Sequence, residues 1–384
     1  MKTSSLLTYA AAVAVTLMSP AVAPALPTMI RLGYIDCAAC HISPQGGGPL
    51  NQYGRGIDET QSRRAGEYKP SERPLLRALS LRGRITQDFR AVVREQAAWI
   101  LNGAPATQLR PRLMYRNVTE IGKGLRVAAT VTGEPDGLPR PSLKYDPAAQ
   151  SSPVFVNTAL VHYRAGTAFE IAAGRDQLPT GVNVPDLGAM FKARNRLGYY
   201  DVPTQVKAFI SGKRFHLTPF LYTPGGNECA GEAESGGGAL AEVDLLGNQK
   251  TVTGITLRRG TASNGARHTV GAYARLGFGQ WGILAEHDLT QRDRTLPTAA
   301  DFTQQATFGQ VFWAAREWLV ASAIGERLHV DGPFGERLAA GRVEVATRLM
   351  SQMTIVAGGK VQRNLITGKQ SKSILLQLAF KTVN

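Results

Sequence analysis

From Leu79 onward, apolar and polar residues alternate along one short segment after another, the two-residue period of strands with one apolar face. Near the C-terminus Ile374, Leu376, Leu378 and Phe380 fall on one face, with Ser373, Gln377, Ala379 and Lys381 on the other and Leu375 as the exception. Between His268 and Phe278, Val270, Ala272, Ala274, Leu276 and Phe278 oppose Thr269, Gly271, Tyr273, Arg275 and Gly277. A shorter segment sets Phe169, Ile171 and Ala173 against Glu170, Ala172 and Gly174.

The connections carry more information than the strands. Tight turns are predicted near Gly122, at Ala165-Gly166, Ser211-Gly212-Lys213, Gly247-Asn248, Gly279-Gln280, Ala315-Arg316 and Ser351. Longer polar or Pro/Gly-rich loops are predicted over 91–107, 134–152, 176–203, 223–239, 260–266, 292–303, 328–336 and 363–370. Short and long connections alternate, as in an up-and-down outer-membrane barrel with short periplasmic turns and long extracellular loops. The fold class expected is therefore all-β: a transmembrane barrel of about 16 antiparallel strands, an even number, with both termini periplasmic. A soluble sandwich also produces alternation along its strands; the regular spacing of long and short loops favours the barrel. Tyr163, Phe215, Tyr222, Trp281, Trp313 and Trp318 lie near strand ends and are candidates for interfacial aromatic girdles. In the loop 176–203, Lys192, Arg194 and Arg196 recur at alternate positions near Tyr199-Tyr200; folded inward, this loop would make a positive constriction.

Composition agrees. Of 384 residues, 41 are glycine, which suits many strands and turns. After the N-terminal segment no apolar stretch reaches the length of a membrane helix. The formal net charge of +15 suits contact with anionic outer-membrane lipid and lipopolysaccharide, or a positive pore lining, rather than nucleic acid, which an exported chain rarely meets.

Export is implied by residues 1–25. Lys2 precedes an apolar run from Leu6 to Met18, too short to span a bilayer, and Ala23-Pro24-Ala25 is a small-residue cleavage site. Close behind it stands Cys37-Ala38-Ala39-Cys40-His41, a Cys-x-x-Cys-His sequence that is the attachment signature of c-type haem. Two thiols at this spacing reach both vinyl groups of one haem, and the following imidazole becomes the proximal iron ligand. A zinc site would need a second ligand pair, and a thioredoxin-type dithiol a βαβ pattern; neither is present in the sequence. The third cysteine, Cys229, reads as a loop thiol.

Export segment, one Cys-x-x-Cys-His, then a porin-like barrel to the end: this organisation resembles the fused monohaem cytochrome–porin proteins of the outer membranes of iron-oxidising bacteria. Cys37, Cys40 and His41 match that family residue by residue. Arg31 and Gly33 stand where it carries an Arg and a Gly, while the remainder of Met29-Ile30-Arg31-Leu32-Gly33-Tyr34-Ile35-Asp36 differs. The resemblance implies one covalent haem c and electron passage between an extracellular donor or acceptor, Fe(II) among them, and a periplasmic electron-carrier cytochrome. Electron transfer is expected ahead of catalysis, and a haem enzyme with an open sixth site, such as a peroxidase, ranks last for want of an obvious distal His or Arg near Cys37 in sequence.

The chain then divides into an export segment (1–25), a monohaem cytochrome c segment and linker (26–78) and a porin-like barrel (79–384). Between Ile42 and Leu113 there is no His and no Met. A segment this short is near the lower limit for independent folding, so the haem is expected on the periplasmic side or in the barrel lumen. Met29, a barrel residue or water fills the sixth iron position; Met114, His162 and His287 are the barrel candidates if they face the lumen. A solute pore in which the haem segment forms a plug is the alternative function.

Overall fold

In the computed structural model, the described residues are Met29, Gly54 and 85–381, apart from 101–105, 122–123, 136–152, 167, 180, 184–188, 198–199, 227–232, 249, 295–300, 333–334 and 351–352. The first half of the wall comprises β1 (Ile85–Ile100), β2 (Ala106–Ile121), β3 (Leu125–Gly133), β4 (Val154–Arg164), β5 (Phe169–Arg175), β6 (Thr204–Ser211), β7 (Phe215–Thr223) and β8 (Ser235–Asp244). The second half comprises β9 (Thr251–Ala262), β10 (Gly265–Phe278), β11 (Trp281–Arg294), β12 (Phe302–Arg316), β13 (Leu319–Val330), β14 (Glu336–Met350), β15 (Met353–Asn364) and β16 (Gln370–Lys381). A short helix, α1 (Met190–Arg194), lies between β5 and β6. Each strand pairs antiparallel with its sequence neighbours, and β1 pairs with β16 from Arg90↔Lys381 to Ile100↔Ser371, closing a barrel of 16 strands. Closure leaves no open sheet edge, which is what permits a β-structure to cross lipid.

Burial is inverted relative to a soluble protein. Val270, Leu289, Leu257, Ile374 and Leu376 are exposed on the outside of the wall, while Arg267, Thr269, Glu286, Asp288, Thr290 and Arg292 are buried within. The alternation along β5, β10 and β16 has the faces expected from the sequence, with the apolar set turned outward. Among the described residues, no helix is long and apolar enough to cross a membrane.

Every connection on one rim is short: 122–124, 165–168, 212–214, 245–250, 279–280, 317–318 and 351–352. Both barrel ends, Ile85 and Lys381, lie on this rim, which by the outer-membrane rule faces the periplasm. Tyr163, Phe215, Trp281 and Trp313 point outward near it, and Trp281 stacks on Trp313 at 6.0 Å between centroids. Tyr222 does not join that girdle. It lies near the opposite rim, turned into the lumen, and donates to Glu234. Trp318 sits in a turn.

Two expected loops are mostly strand. Residues 91–100 belong to β1 and 106–107 to β2, and 260–266 shrinks to a two-residue hairpin between Ala262 and Gly265. Strand ends that face an aqueous lumen are polar and therefore resemble loops in sequence. The wall is also uneven in height: β1 and β2 have 16 residues each, β5 and β6 only 7 and 8.

Candidate functional site

The lumen is narrowed by the connection 176–203, which folds inward rather than out into solvent. Gly174, the penultimate residue of β5, has φ 132°, and a Cβ there would stand 2.1 Å from the Ala159 carbonyl oxygen, so only glycine fits. The loop then crosses to the far wall. Backbone N–H groups of Val182 and Met190 donate to Glu286 (2.7 Å) and Glu326 (2.6 Å), carboxylates on β11 and β13. Phe191 of α1 packs on Phe308 of β12 at 4.6 Å between centroids, inside an apolar cluster that includes Leu284, Phe312, Ile324 and Leu328.

Asn195, fully buried, is the central pin. Its Nδ2 donates to Asp288 (2.7 Å), its Oδ1 accepts from Gln304 (2.7 Å) and Thr290 (3.2 Å), and its backbone oxygen accepts from Arg258 (2.6 Å). Returning, the Tyr200 hydroxyl donates to Glu134 (2.9 Å) and accepts from Arg112 (2.8 Å) on β2. Burial pushes the Tyr200 phenol up to about 12, with Arg112 opposing and Glu134 adding to the rise. At the loop base, the fully buried Lys207 ammonium meets Asp176 at 2.7 Å.

The loop therefore does fold inward, but its cations are not displayed as a bare positive ring. Lys192 donates to Asn183, Arg194 pairs with Glu336 at 2.6 Å, and Arg196 reaches Glu234 at 3.3 Å. Glu234 also lies 3.2 Å from Arg267 Nε, close enough for an ion pair without the alignment of a hydrogen bond. Burial alone would push the Glu234 carboxyl up; Arg267, Arg258 and Arg196 override this and hold it well below the usual carboxylate range. The arrangement is a polar constriction pinned to the wall by buried hydrogen bonds and ion pairs.

The sequence-derived haem residues Cys37, Cys40 and His41 lie outside the described residues, as does Cys229; Met29 is half-buried. Of the barrel candidates, Met114 and His162 face inward, whereas His287 faces outward and bonds Thr307 on the outer face at 2.8 Å. His287 thus cannot meet anything held in the lumen. His162 Nε2 lies 2.7 Å from Glu170 Oε2, and its buried Nδ1 has no partner among the described residues. A carboxylate on one ring nitrogen leaving the other free is the usual setting of a metal-ligating imidazole, so His162, two residues from the short-turn end of β4, is compatible with a haem near the periplasmic mouth, whereas Met114 stands seven residues up β2. No group of three or more His, Cys, Asp or Glu suited to a metal ion occurs among the described residues. Sequence reasoning missed His216, inward on β7 and bonded to Ser211 (3.0 Å), and the pins Asn195, Glu286 and Glu326. The alternate spacing of Glu286, Asp288, Thr290 and Arg292 was the available signal for an inward face.

No protein-family profile matches the chain, and no curated protein matches it in sequence. Solved structures do resemble it. The anion-selective porin from Comamonas acidovorans superposes with a TM-score of 0.58 at 13% identity, over 78% of this chain and 100% of that one. Pseudomonas putida OprB gives 0.59 at 9% identity, over 80% and 96%. Vibrio cholerae OmpT gives 0.54 at 8% identity, over 78% and 98%. At such identities the likeness shows the fold alone: the chain forms a porin-type outer-membrane β-barrel.

Proposed function

We propose that the chain is an outer-membrane c-type cytochrome–porin that passes electrons between an extracellular donor or acceptor, Fe(II) among the candidates, and a periplasmic electron-carrier cytochrome. The observation that carries this reading is Cys37-Ala38-Ala39-Cys40-His41, set ahead of a barrel whose first strand starts on the short-turn rim. Cys37 and Cys40 would hold haem c through thioethers, with His41 as proximal ligand. When bound, that group supplies a one-electron redox centre. Because the hydrocarbon core is about 30 Å thick, the redox partner outside must approach through the lumen or the haem must sit within it. The inward loop bears on the first route, since it limits what can pass. The inward-facing Met114 and His162 offer soft and imidazole ligands for the sixth iron position. Cys40→Ala is expected to abolish covalent haem stain on a denaturing gel; unchanged stain would sink the reading.

One observation favours a second reading. The pinned inward loop is the kind of constriction a diffusion pore uses, so the barrel also fits a solute porin carrying a haem-bearing plug. Planar-bilayer currents from the purified protein discriminate. Steady ion conduction at the same level with and without haem favours the porin, and a closed lumen favours the electron conduit.

A further inference from the structure

We infer that the outer face of β13–β16 is a binding surface for the phosphates of lipopolysaccharide. This goes beyond the reading above and depends only on the barrel and its orientation. Outward residues along these strands, followed up from the short-turn rim, form an apolar or small-residue column that ends in a cation. On β13 the column is Leu319, Ala321, Ala323, Gly325 and then Arg327. On β15 it is Ile355, Ala357, Gly359, Val361 and then Arg363. On β16 it is Phe380, Leu378, Leu376, Ile374 and then Lys372. On β14 Thr347, Val345, Val343, Gly341 and Ala339 lead to Arg337.

The four cations come together through the strand pairing. Arg337 pairs with His329, two residues above Arg327; Ala339 pairs with both Arg327 and Arg363; and Lys372 pairs with Val361, two residues below Arg363. All four are exposed. Among the described residues, Asp331 is the one acid at the patch, 2.8 Å from His329 and 4.0 Å from Arg337. Arg327, Arg363 and Lys372 have no ion-pair partner among the described residues.

Position selects the partner. Eight residues of strand tilted by about 40° rise about 21 Å, against an apolar belt about 25 Å tall. The cations therefore sit at the upper edge of the belt, on the long-loop side, where the outer leaflet presents the phosphorylated lipid A of lipopolysaccharide. A guanidinium facing hydrocarbon is unfavourable, whereas one facing a phosphate forms charge-assisted, bidentate hydrogen bonds. The adjoining strand β12 lacks this pattern, ending in Thr307, Gln305 and Thr303. On β9, where Thr251, Thr253, Ile255 and Leu257 lead to Arg259, the cation is not joined by others among the described residues: the neighbouring outward His268 on β10 lies 3.8 Å from Asp293.

The test is titration of the purified full-length protein in non-ionic detergent with fluorescent lipopolysaccharide. The triple variant Arg327→Gln/Arg363→Gln/Lys372→Gln is compared with Arg259→Gln, an outward cation on β9. With about a fivefold contribution per cation near an anionic surface, the triple variant is expected to bind about a hundredfold more weakly. Arg259→Gln should bind as the parent does, and parental binding should weaken at high salt. Dephosphorylated lipid A should bind no better than the triple variant binds the intact lipid, and inorganic phosphate at the same concentration should not compete. Equal binding by the triple variant, by Arg259→Gln and by the parent overturns the inference, as does equal binding of dephosphorylated lipid A. Effective competition by inorganic phosphate would make the patch a general anion site and also overturn it. Unheated gel mobility reports that each variant is folded. If the triple variant is not, the three single variants replace it, each expected to lose about fivefold.

Discussion

Replacing Asn195 with Ala should release the inward loop while leaving the barrel intact. The substitution removes the donor to Asp288 and the acceptor of Gln304, both at 2.7 Å, and the weaker bond from Thr290. Thr290 keeps Thr269 as a partner at 3.0 Å, and the Arg258 bond to the Asn195 backbone oxygen can persist. Two buried groups are left without partners, each costing about 1–3 kcal/mol. With water entering the vacated space, a net loss of about 3 kcal/mol is expected. At about 1.4 kcal/mol per tenfold, the displaced-loop population rises about a hundredfold. Limited trypsin digestion reads this directly, because Lys192 and Arg196 are buried and Arg194 is ion-paired while the loop is seated. Cleavage that follows the open population should accelerate about a hundredfold, while unheated gel mobility stays that of a folded barrel. A cleavage rate within about threefold of the parent would refute the argument, since the bonds to Asp288 and Gln304 would then not be what seats the loop.

Lys207→Met leaves Asp176 buried without its cation and should cost about 3–5 kcal/mol, seen as a lower temperature of the heat-induced gel shift. Glu234 has a depressed folded-state value, so its contribution is fully present above its ordinary value of 4.5 and is lost as pH falls below that. Trypsin-like nicking of the loop, read with an acid-active protease below that pH, should therefore be flat from pH 8 to about 5 and rise only in stronger acid; a rise near pH 6 would contradict it. In whole cells, thiol reagents that do not cross the membrane should label a cysteine at position 298 but not one at 212, and the reverse would invert the barrel. In haem-loaded protein, His162→Ala should change the absorption spectrum if this imidazole completes iron coordination, whereas His287→Ala should leave it unchanged because that ring faces outward.

The barrel was legible because lipid imposes a simple rule on one face of every strand. The columns on β5, β10 and β16 could be assigned to a face from sequence, as could the four outward aromatics. The sidedness of the connections was legible for the same reason, since seven short turns punctuate the chain. What failed lies where a strand meets water. Residues 91–100 and 260–262 read as loop, yet they are strand residues of β1 and β9. The inward loop was visible as an outsized connection, but its pins were not. Asn195 acquires its role from Asp288, Thr290, Gln304 and Arg258, partners on three separate strands, and no local pattern announces such a meeting. Tyr222 was misjudged because an aromatic near a strand end has the same sequence signature whether it faces lipid or a buried carboxylate.

The low stretch of wall at β5 and β6 has a consequence for the membrane itself. Seven residues at about 3.4 Å each, tilted by about 40°, span about 18 Å, several ångströms less than an outer-membrane belt about 25 Å tall. Lipids beside Phe169–Arg175 and Thr204–Ser211 must therefore thin or tilt to keep their chains against the apolar wall, while those beside the 16-residue β1 and β2 need not. The barrel would sit in its bilayer as an asymmetric inclusion, with a pinched annulus on the side from which the inward loop departs. Hydrophobic mismatch of this kind costs a fraction of a kcal/mol per ångström. It is enough to bias which neighbours and which lipids gather there, so the geometry that frees chain for the constriction also marks one flank of the protein as a preferred place for local membrane deformation.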